Sequence, residues 1–154
     1  MTKNFPLLTA LLLLPLAACR PAYVAPSGPD TAQLVFRAVA EGRHSEFSAF
    51  EPVNEECRGE RNLGDLHAYP VMRKTESTAT IPAGSTFVFH VFQSHAIYNG
   101  NAFCDLTLKF VPQPGQRYDV DVGDCSAVVY RADATSPGGR VLEPSATRAA
   151  KQCL

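Results

Sequence analysis

The sequence predicts an all-β domain that folds as an antiparallel β-sandwich of about seven strands, stapled by disulfides. Residues alternate between apolar and polar over 104–110 and 118–122, which is the period-two pattern of strands with one buried face. Turn-forming proline and glycine residues separate short runs of this kind at spacings of about ten residues. Helical periodicity is nearly absent, and only residues 146–152 have the pattern of a brief helix.

Each strand is predicted from its own side-chain pattern. The first, residues 31–40, alternates apolar and polar residues. The clearest pair is 104–110 and 118–122, which a proline- and glycine-containing turn at 112–115 joins into a predicted hairpin. The other predicted strands or short strand–turn segments are residues 47–50, 57–66, 68–74, 76–81, 87–92, 126–131 and 140–142.

The start of the chain has the character of a secretory signal. It is positively charged at Lys3, and the 14 residues from 5 to 18 are mostly apolar. A membrane-spanning helix needs about 20 apolar residues, whereas this run is shorter and contains Pro6 and Pro15. We therefore predict a cleaved signal peptide over residues 1–18 rather than a permanent transmembrane helix.

Leu16, Ala17, Ala18 and Cys19, at the end of this run, resemble the lipobox of bacterial lipoprotein precursors at all four positions. In that family a diacylglyceryl group is attached to the cysteine sulfur, and the signal is cut directly before the cysteine. The resemblance implies that lipid on Cys19 anchors the mature chain to a membrane. Ordinary cleavage after Ala18 fits poorly, because it would leave Leu16 where a small residue is preferred.

The anchor implies a compartment and a domain organisation. An aspartate after the cysteine resembles an inner-membrane retention signal of enteric-type bacteria, and this chain has Arg20 there instead. We therefore expect the protein at the outer membrane, facing the periplasm, with the inner membrane or the cell surface as alternatives. Residues 19–30 are predicted to form the lipid anchor and a flexible tether, and residues 31–154 the β-sandwich domain.

The remaining cysteines predict disulfides. Of the five cysteines, four lie beyond Cys19, and an even number in the oxidising periplasm favours two disulfides. Several pairings are possible, and spacing alone does not choose among them. We favour Cys104 with Cys125, because one begins a strand and the other follows the predicted hairpin partner. Cys57 with Cys153 would then tie down the C-terminal tail.

Metal binding and catalysis have weaker support. No two cysteines form a CxxC pair, and the spacing of His90 and His95 does not match known zinc sites. Asp119, Asp121 and Asp124 offer oxygen ligands for calcium, but strand alternation favours a solvated sheet face. Catalytic motifs are not recognised, so we assign no catalytic residue, no metal ligand and no cofactor.

One segment is the candidate binding region. Residues 93–103, between two predicted strands, carry His95, Tyr98, Asn99 and Asn101 together with a glycine that adds backbone freedom. Binding residues concentrate on loops of this kind, so these four are the predicted binding residues. The alternative is a turn whose Asn-Gly pair only reverses the chain.

Charge and a second resemblance complete the expectation. The 14 basic and 15 acidic residues give a net charge of -1, which argues against nucleic acid as a partner. The F-x-P-x-x-G-x-x-Y pattern from Phe110 to Tyr118, flanked by Cys104 and Cys125, resembles small cysteine-bearing bacterial lipoproteins without assigned activity. The strand order is similar to immunoglobulin-like or transthyretin-like modules.

We therefore expect a non-catalytic binding or envelope-structural module, attached to the membrane through lipid on Cys19 and contacting a protein or glycan partner in the envelope. The alternative is a small-ligand or metal-binding accessory protein of an envelope enzyme.

Overall fold

The computed structural model describes residues 22–39, 45–52, 59–68 and 73–150, which form an all-β fold of two sheets. The five-stranded sheet contains, in spatial order, β10 (Arg140–Leu142), β9 (Ser126–Ala132), β8 (Arg117–Gly123), β1 (Thr31–Ala38) and β5 (Glu76–Pro82). The six-stranded sheet contains β11 (Thr147–Arg148), β7 (Gly100–Phe110), β6 (Phe87–Ile97), β2 (Ser45–Glu51), β3 (Arg61–Ala68) and β4 (Arg73–Lys74). Within these ranges no helix has the length and apolarity to cross a bilayer.

The two sheets pack face to face because each presents an apolar face to the other. Phe36 of β1 contacts Phe89 of β6 across the interface, with ring centroids 5.8 Å apart. Phe110 of β7 and Tyr118 of β8 form a second contact at 5.0 Å. All four side chains are at most 1 % exposed, so they supply much of the burial energy of the core. The prediction of an all-β fold is confirmed, in a sandwich-like arrangement of two layers.

The strand pairing is antiparallel with one exception. β1 pairs antiparallel with β5 but parallel with β8, so that Leu34 lies opposite Tyr118. A parallel pair needs a long crossover connection. Here the connection between β1 and β8 contains five strands of the six-stranded sheet, β2, β3, β4, β6 and β7. The other eight pairings among the described strands are antiparallel.

The predicted hairpin between residues 104–110 and 118–122 is wrong, although both strands exist. β7 belongs to the six-stranded sheet and β8 to the five-stranded sheet, so the connection between them carries the chain from one layer to the other. Gly115, with a φ of +72°, lies in this connection, and its N–H donates to the carbonyl oxygen of Thr31 at 2.7 Å. Alternation reports which face of a strand is buried and does not identify its neighbour.

The long hairpins of the fold join β6 to β7 and β8 to β9 instead. The turn between β8 and β9 consists of Asp124 and Cys125, whose φ values of +46° and +58° lie in the left-handed region. Two successive left-handed residues match the right-handed twist of the flanking strands. For residues other than glycine this conformation costs on the order of 1–2 kcal/mol per residue, so other contacts must stabilise the turn.

Most of the other strands agree with their predicted places: those predicted at 31–40, 47–50, 76–81, 126–131 and 140–142 correspond to β1, β2, β5, β9 and β10. The prediction at 87–92 covers the first six residues of β6, and those at 57–66 and 68–74 overlap β3 and β4 only in part. The brief helix predicted over 146–152 is wrong where it is described, because Thr147–Arg148 is strand β11 and pairs with β7. Eleven strands are described rather than about seven, and three of them, β4, β10 and β11, are only two or three residues long.

The segment 22–30, predicted to be part of a flexible tether, is attached to the domain in the structure. Ala22 forms a parallel bridge with Asn62 of β3. Tyr23 packs against the core, and its hydroxyl donates to the carbonyl oxygen of Thr80 in β5 at 2.5 Å. Burial raises the pKa of Tyr23 to about 12. The segment therefore lies against the side of the domain where β3 and β5 approach each other.

Candidate functional site

The β6–β7 hairpin extends beyond the strand that flanks it. β2 pairs with β6 only as far as His95. Beyond this point the described part of the chain pairs β6 only with β7, and Tyr98 and Asn99 form the connecting turn. We call residues 95–103 the hairpin tip.

The hairpin tip exposes apolar side chains. Tyr98 is 100 % exposed, Phe103 is 61 % exposed and Ile97 is 51 % exposed. Phe103 stacks on Phe92 of β6, with ring centroids 5.8 Å apart and an interplanar angle of 24°. Clustered apolar side chains on a surface mark interaction sites, and aromatic rings supply much contact area for little lost conformational freedom. The hairpin tip therefore has the composition of a binding surface.

The predicted loop over residues 93–103 is wrong, because most of it is strand. β6 continues to Ile97 and β7 begins at Gly100, which leaves a two-residue turn. Gly100 has a φ of +144°, a conformation that suits glycine. The alternative interpretation, in which the Asn-Gly pair reverses the chain, agrees with the structure.

The four predicted binding residues all lie on this hairpin but do not surround a common point. His95 pairs with Ala102, and Asn101 pairs with Ala96. Successive rungs of a two-stranded ribbon point to opposite faces, so the side chains of His95 and Asn101 lie on opposite sides. Tyr98 and Asn99 lie between them in the turn. Whether these four bind a partner stays a prediction.

Phe103 of the hairpin tip and Phe92, on which it stacks, were not identified from the sequence. A signal for Phe103 is present, since Cys104 must face the opposite sheet to reach Cys125, and the adjacent residue then faces outward. The polar residues from Gln93 to His95 obscured this signal, because they resemble a loop.

Below its tip, the hairpin is attached to the five-stranded sheet through two residues that pair with each other, Gln93 and Cys104. Gln93 is 1 % exposed. Its Nε2 donates to the carbonyl oxygen of Ser126 at 3.0 Å, and its Oε1 accepts the N–H of Cys125 at 3.1 Å. Cys104 is joined to Cys125 by a disulfide. We call Gln93, Cys104 and Cys125 the hairpin lock, because they hold the β8–β9 turn beneath the hairpin tip.

The predicted disulfide between Cys104 and Cys125 is confirmed, with a Cα–Cα distance of 5.5 Å. Its position differs from the one expected, since it connects the two sheets rather than two partners of one hairpin. For its sequence separation of 21 residues, chain entropy gives a stabilisation of about 3 kcal/mol. The other predicted pair, Cys57 with Cys153, lies outside the described residues, as does Cys19.

A buried histidine on the outer face of the six-stranded sheet lies between two carboxylates. His90 is 4 % exposed, its Nδ1 is 3.0 Å from Oε1 of Glu60, and its Nε2 is 2.6 Å from Oδ1 of Asp105. An ionised carboxylate only accepts, so both contacts are hydrogen bonds when both ring nitrogens carry a hydrogen. The ring of Phe50 lies 6.0 Å from the imidazole. Because each ring nitrogen contacts a carboxylate, we interpret His90 of β6 as a structural link to β7, through Asp105, and to the residue before β3, Glu60.

Two of the three aspartates considered for calcium, Asp119 and Asp121, are paired with arginines, and the third, Asp124, lies in the β8–β9 turn. Asp121 accepts two bonds from Arg140, each at 2.8 Å. Asp119 lies 3.1 Å from Arg117 and 3.4 Å from Arg37. The bond to Asp121 raises the pKa of Arg140. These two paired aspartates therefore lie on a charge-paired outer face, and the expected solvated position is wrong for Asp119, which is only 5 % exposed.

A polar groove of ≈ 240 Å³ lies beside β1 at the end of the domain where β8 begins. Its lining consists of Thr31, Ala32, Gln33, Thr80, Gly115, Gln116 and Arg117.

In the described part of the chain, no three or more histidine, cysteine, aspartate or glutamate side chains are grouped to hold a metal ion. No known protein family matches the chain, and no curated protein matches its sequence.

We predict that Gln93→Leu destabilises the domain by about 2 kcal/mol, because it removes the two hydrogen bonds through which the buried Gln93 side chain holds the β8–β9 turn. Chemical denaturation measures the loss, and hydrogen exchange of the Cys125 amide accelerates. The control is Gln116→Leu at an exposed position, with a change below about 0.5 kcal/mol. Equal effects of the two substitutions would contradict a structural role for the hairpin lock.

We predict that His90→Phe lowers the free energy of unfolding by roughly 1–3 kcal/mol, because it leaves two carboxylates near each other without a shared donor. This range allows for the partial exposure of both carboxylates. Adding Glu60→Gln and Asp105→Asn to His90→Phe restores part of the loss. Denaturation midpoints check both steps, with His95→Phe as the control. If the added substitutions lower stability further, the charge argument fails.

Proposed function

We propose that the protein is a membrane-anchored periplasmic lipoprotein that acts as a non-catalytic binding module. The observation that carries this proposal is the hairpin tip, where Ile97, Tyr98 and Phe103 expose apolar surface. The hairpin lock holds this surface on a paired β-ribbon. A binding surface that is already ordered loses less conformational entropy on association, and aromatic residues are common binding hot spots.

The proposed anchor rests on the signal-like residues 1–18 and the lipobox cysteine Cys19. The Cys104–Cys125 disulfide supports export, because disulfides persist in oxidising compartments and are rare in the cytosol. Arg20 in place of aspartate favours the outer membrane over the inner membrane. Stable anchoring needs at least two lipid chains, which acylation of a lipoprotein cysteine supplies.

The proposed partner is a protein or a glycan of the envelope. The hairpin tip contains no Asp, Glu, Lys or Arg. Nucleic-acid binding depends on basic side chains that neutralise phosphates, so this surface does not suit nucleic acid. Apolar contact with a protein pocket, or with the apolar face of a sugar ring, suits it better. The proposal assigns no catalytic residue and no cofactor.

For the fold type, we propose an immunoglobulin-like or transthyretin-like sandwich. Two packed sheets and a connection that crosses between them from β7 to β8 support this proposal. The eight strands of seven or more residues, β1, β2, β3, β5, β6, β7, β8 and β9, are also near the number expected for such modules.

The alternative function is a small-ligand accessory role, and the polar groove beside β1 favours it. Arg117 in its lining is the charged group that would contact an anionic ligand, although it already bonds Asp119 at 3.1 Å. Recovery of a bound small molecule or metal ion with the purified protein would favour this function over partner binding.

We predict that Cys19 carries fatty acid. In cells fed an alkyne analogue of palmitate, the wild-type chain becomes labelled and sediments with membranes, whereas the Cys19→Ser variant does neither. As a second variant, Arg20→Asp retains the label and, in an enteric-type host, shifts from the outer to the inner membrane. Label on the Cys19→Ser variant would contradict the anchor.

We predict that the hairpin tip contacts the partner. A photoreactive phenylalanine analogue in place of Tyr98 gives a discrete crosslinked product in intact cells, and the same analogue in place of Leu142, which is 63 % exposed on β10, gives none. The Phe103→Ser variant reduces the yield at position 98 at least about tenfold, the effect of losing 1.4 kcal/mol of binding energy. Equal crosslinking from both positions would contradict a specific site.

A further inference from the structure

The segment that leads from the proposed anchor into the domain is too short to act as a tether. If Cys19 carries lipid, as the proposed function requires, only residues 20 and 21 separate it from Ala22. Ala22 is already bridged to Asn62, and Tyr23 is bonded to Thr80. The length between the lipid and the folded domain is therefore three Cα steps, rather than the full stretch of 19–30.

Three steps span little more than the lipid headgroup layer. A fully extended chain advances at most about 3.6 Å per residue, so Ala22 lies within about 11 Å of the Cα atom of Cys19. The headgroup region of one leaflet is about 6 Å thick, judged from a bilayer of 40–45 Å around a 30 Å hydrocarbon core. The lipidated cysteine lies where the headgroup region meets the hydrocarbon core. Little space for water then remains between the headgroups and Ala22.

The direction of the chain at Ala22 shows which end of the domain lies away from the lipid. The bridge between Ala22 and Asn62 is parallel, so the chain enters in the direction of β3. β3 is antiparallel to β2, and β2 is antiparallel to β6, so β3 and β6 run in the same direction. β6 runs toward the hairpin tip. At Ala22 the chain therefore heads toward the hairpin tip.

The strand register gives the separation. Asn62 pairs with Phe50, and Phe50 pairs with His90, which places Ala22 and His90 on one rung of the sheet. From His90 to Ile97 the strand rises by about 3.3 Å per residue, or about 23 Å in total. The hairpin tip is therefore more than twice as far from Ala22 as the anchor is.

The side chains near Ala22 suit a neutral lipid surface. Val24 is 78 % exposed. Arg61 and Glu51 form an ion pair at 2.7 Å, and the side-chain amide of Asn62 bonds Asp65 at 3.0 Å. Arg61 is paired with Glu51, and Asp65 offsets the charge of Arg20, so there is no excess of basic groups that would require anionic lipid.

We infer that the domain sits directly on the membrane, with Ala22, Val24 and the end of the domain where β6 begins at the lipid headgroups and the hairpin tip directed away from the bilayer. The partner of this first surface is the zwitterionic headgroup layer itself. The arrangement presents the hairpin tip to a second molecule at a set height above the membrane.

The chain contains no tryptophan, which allows a direct test. The Val24→Trp and Tyr98→Trp variants each place one tryptophan at an exposed apolar position. Both are purified as full lipidated chains and reconstituted in phosphatidylcholine vesicles that contain a lipid with a spin label on its headgroup. Equal denaturation midpoints confirm that both variants are folded, and vesicle flotation confirms that they are anchored.

We expect the spin label to remove roughly half of the emission of the Val24→Trp variant, because that position lies within a few residues of the membrane contact. The Tyr98→Trp variant loses no more emission than in unlabelled vesicles. Anchored protein with no quenching at position 24 overturns the membrane contact and leaves the lipid anchor intact. Equal quenching at both positions overturns the orientation. Failure to float with vesicles overturns the anchor, and with it the proposed function.

Discussion

The packing of the two apolar sheet faces is the interaction on which the rest of the structure depends. Phe36, Phe89, Phe110 and Tyr118 form its centre and come from both sheets. Removing one such ring costs about 3–5 kcal/mol, a large part of the stability of a domain of this size. The same packing requires the chain to cross between layers after β7. That crossing brings the β8–β9 turn under the hairpin, where Cys125 meets Cys104.

The hairpin lock depends on this crossing and stabilises an unfavourable turn. Asp124 and Cys125 adopt left-handed conformations that cost on the order of 1–2 kcal/mol each. The disulfide and the two hydrogen bonds of Gln93 offset that cost and join the hairpin to the opposite sheet. The apolar side chains of the hairpin tip thus extend from a ribbon that is fixed to the opposite sheet, which suits a surface that binds without first becoming ordered.

The sequence predicted the parts of the fold that depend on local pattern. Alternation identified β1, β7 and β8, because burial of one face acts within each strand. It did not identify the neighbours of β7, since pairing depends on contacts distant in sequence. The candidate site was predictable to the same extent. The Cys104–Cys125 disulfide and the position of Tyr98 in a turn between two strands were predicted from the sequence. The contacts of Gln93 with Cys125, 32 residues away, and of His90 with Glu60, 30 residues away, have no local signature. The proline-rich composition of 22–30 suggested a tether, and the packing of Tyr23 against the core outweighed it.

The central claim is a lipid-anchored, disulfide-bonded envelope protein, and intact-mass spectrometry of the chain purified from membranes tests it most directly. The account predicts the mass of residues 19–154 plus lipid, which rises by about four hydrogens on reduction, as expected for two disulfides among four cysteines. A mass that still contains residues 1–18 would contradict the anchor. A mass that does not change on reduction would contradict the disulfides, the hairpin lock among them.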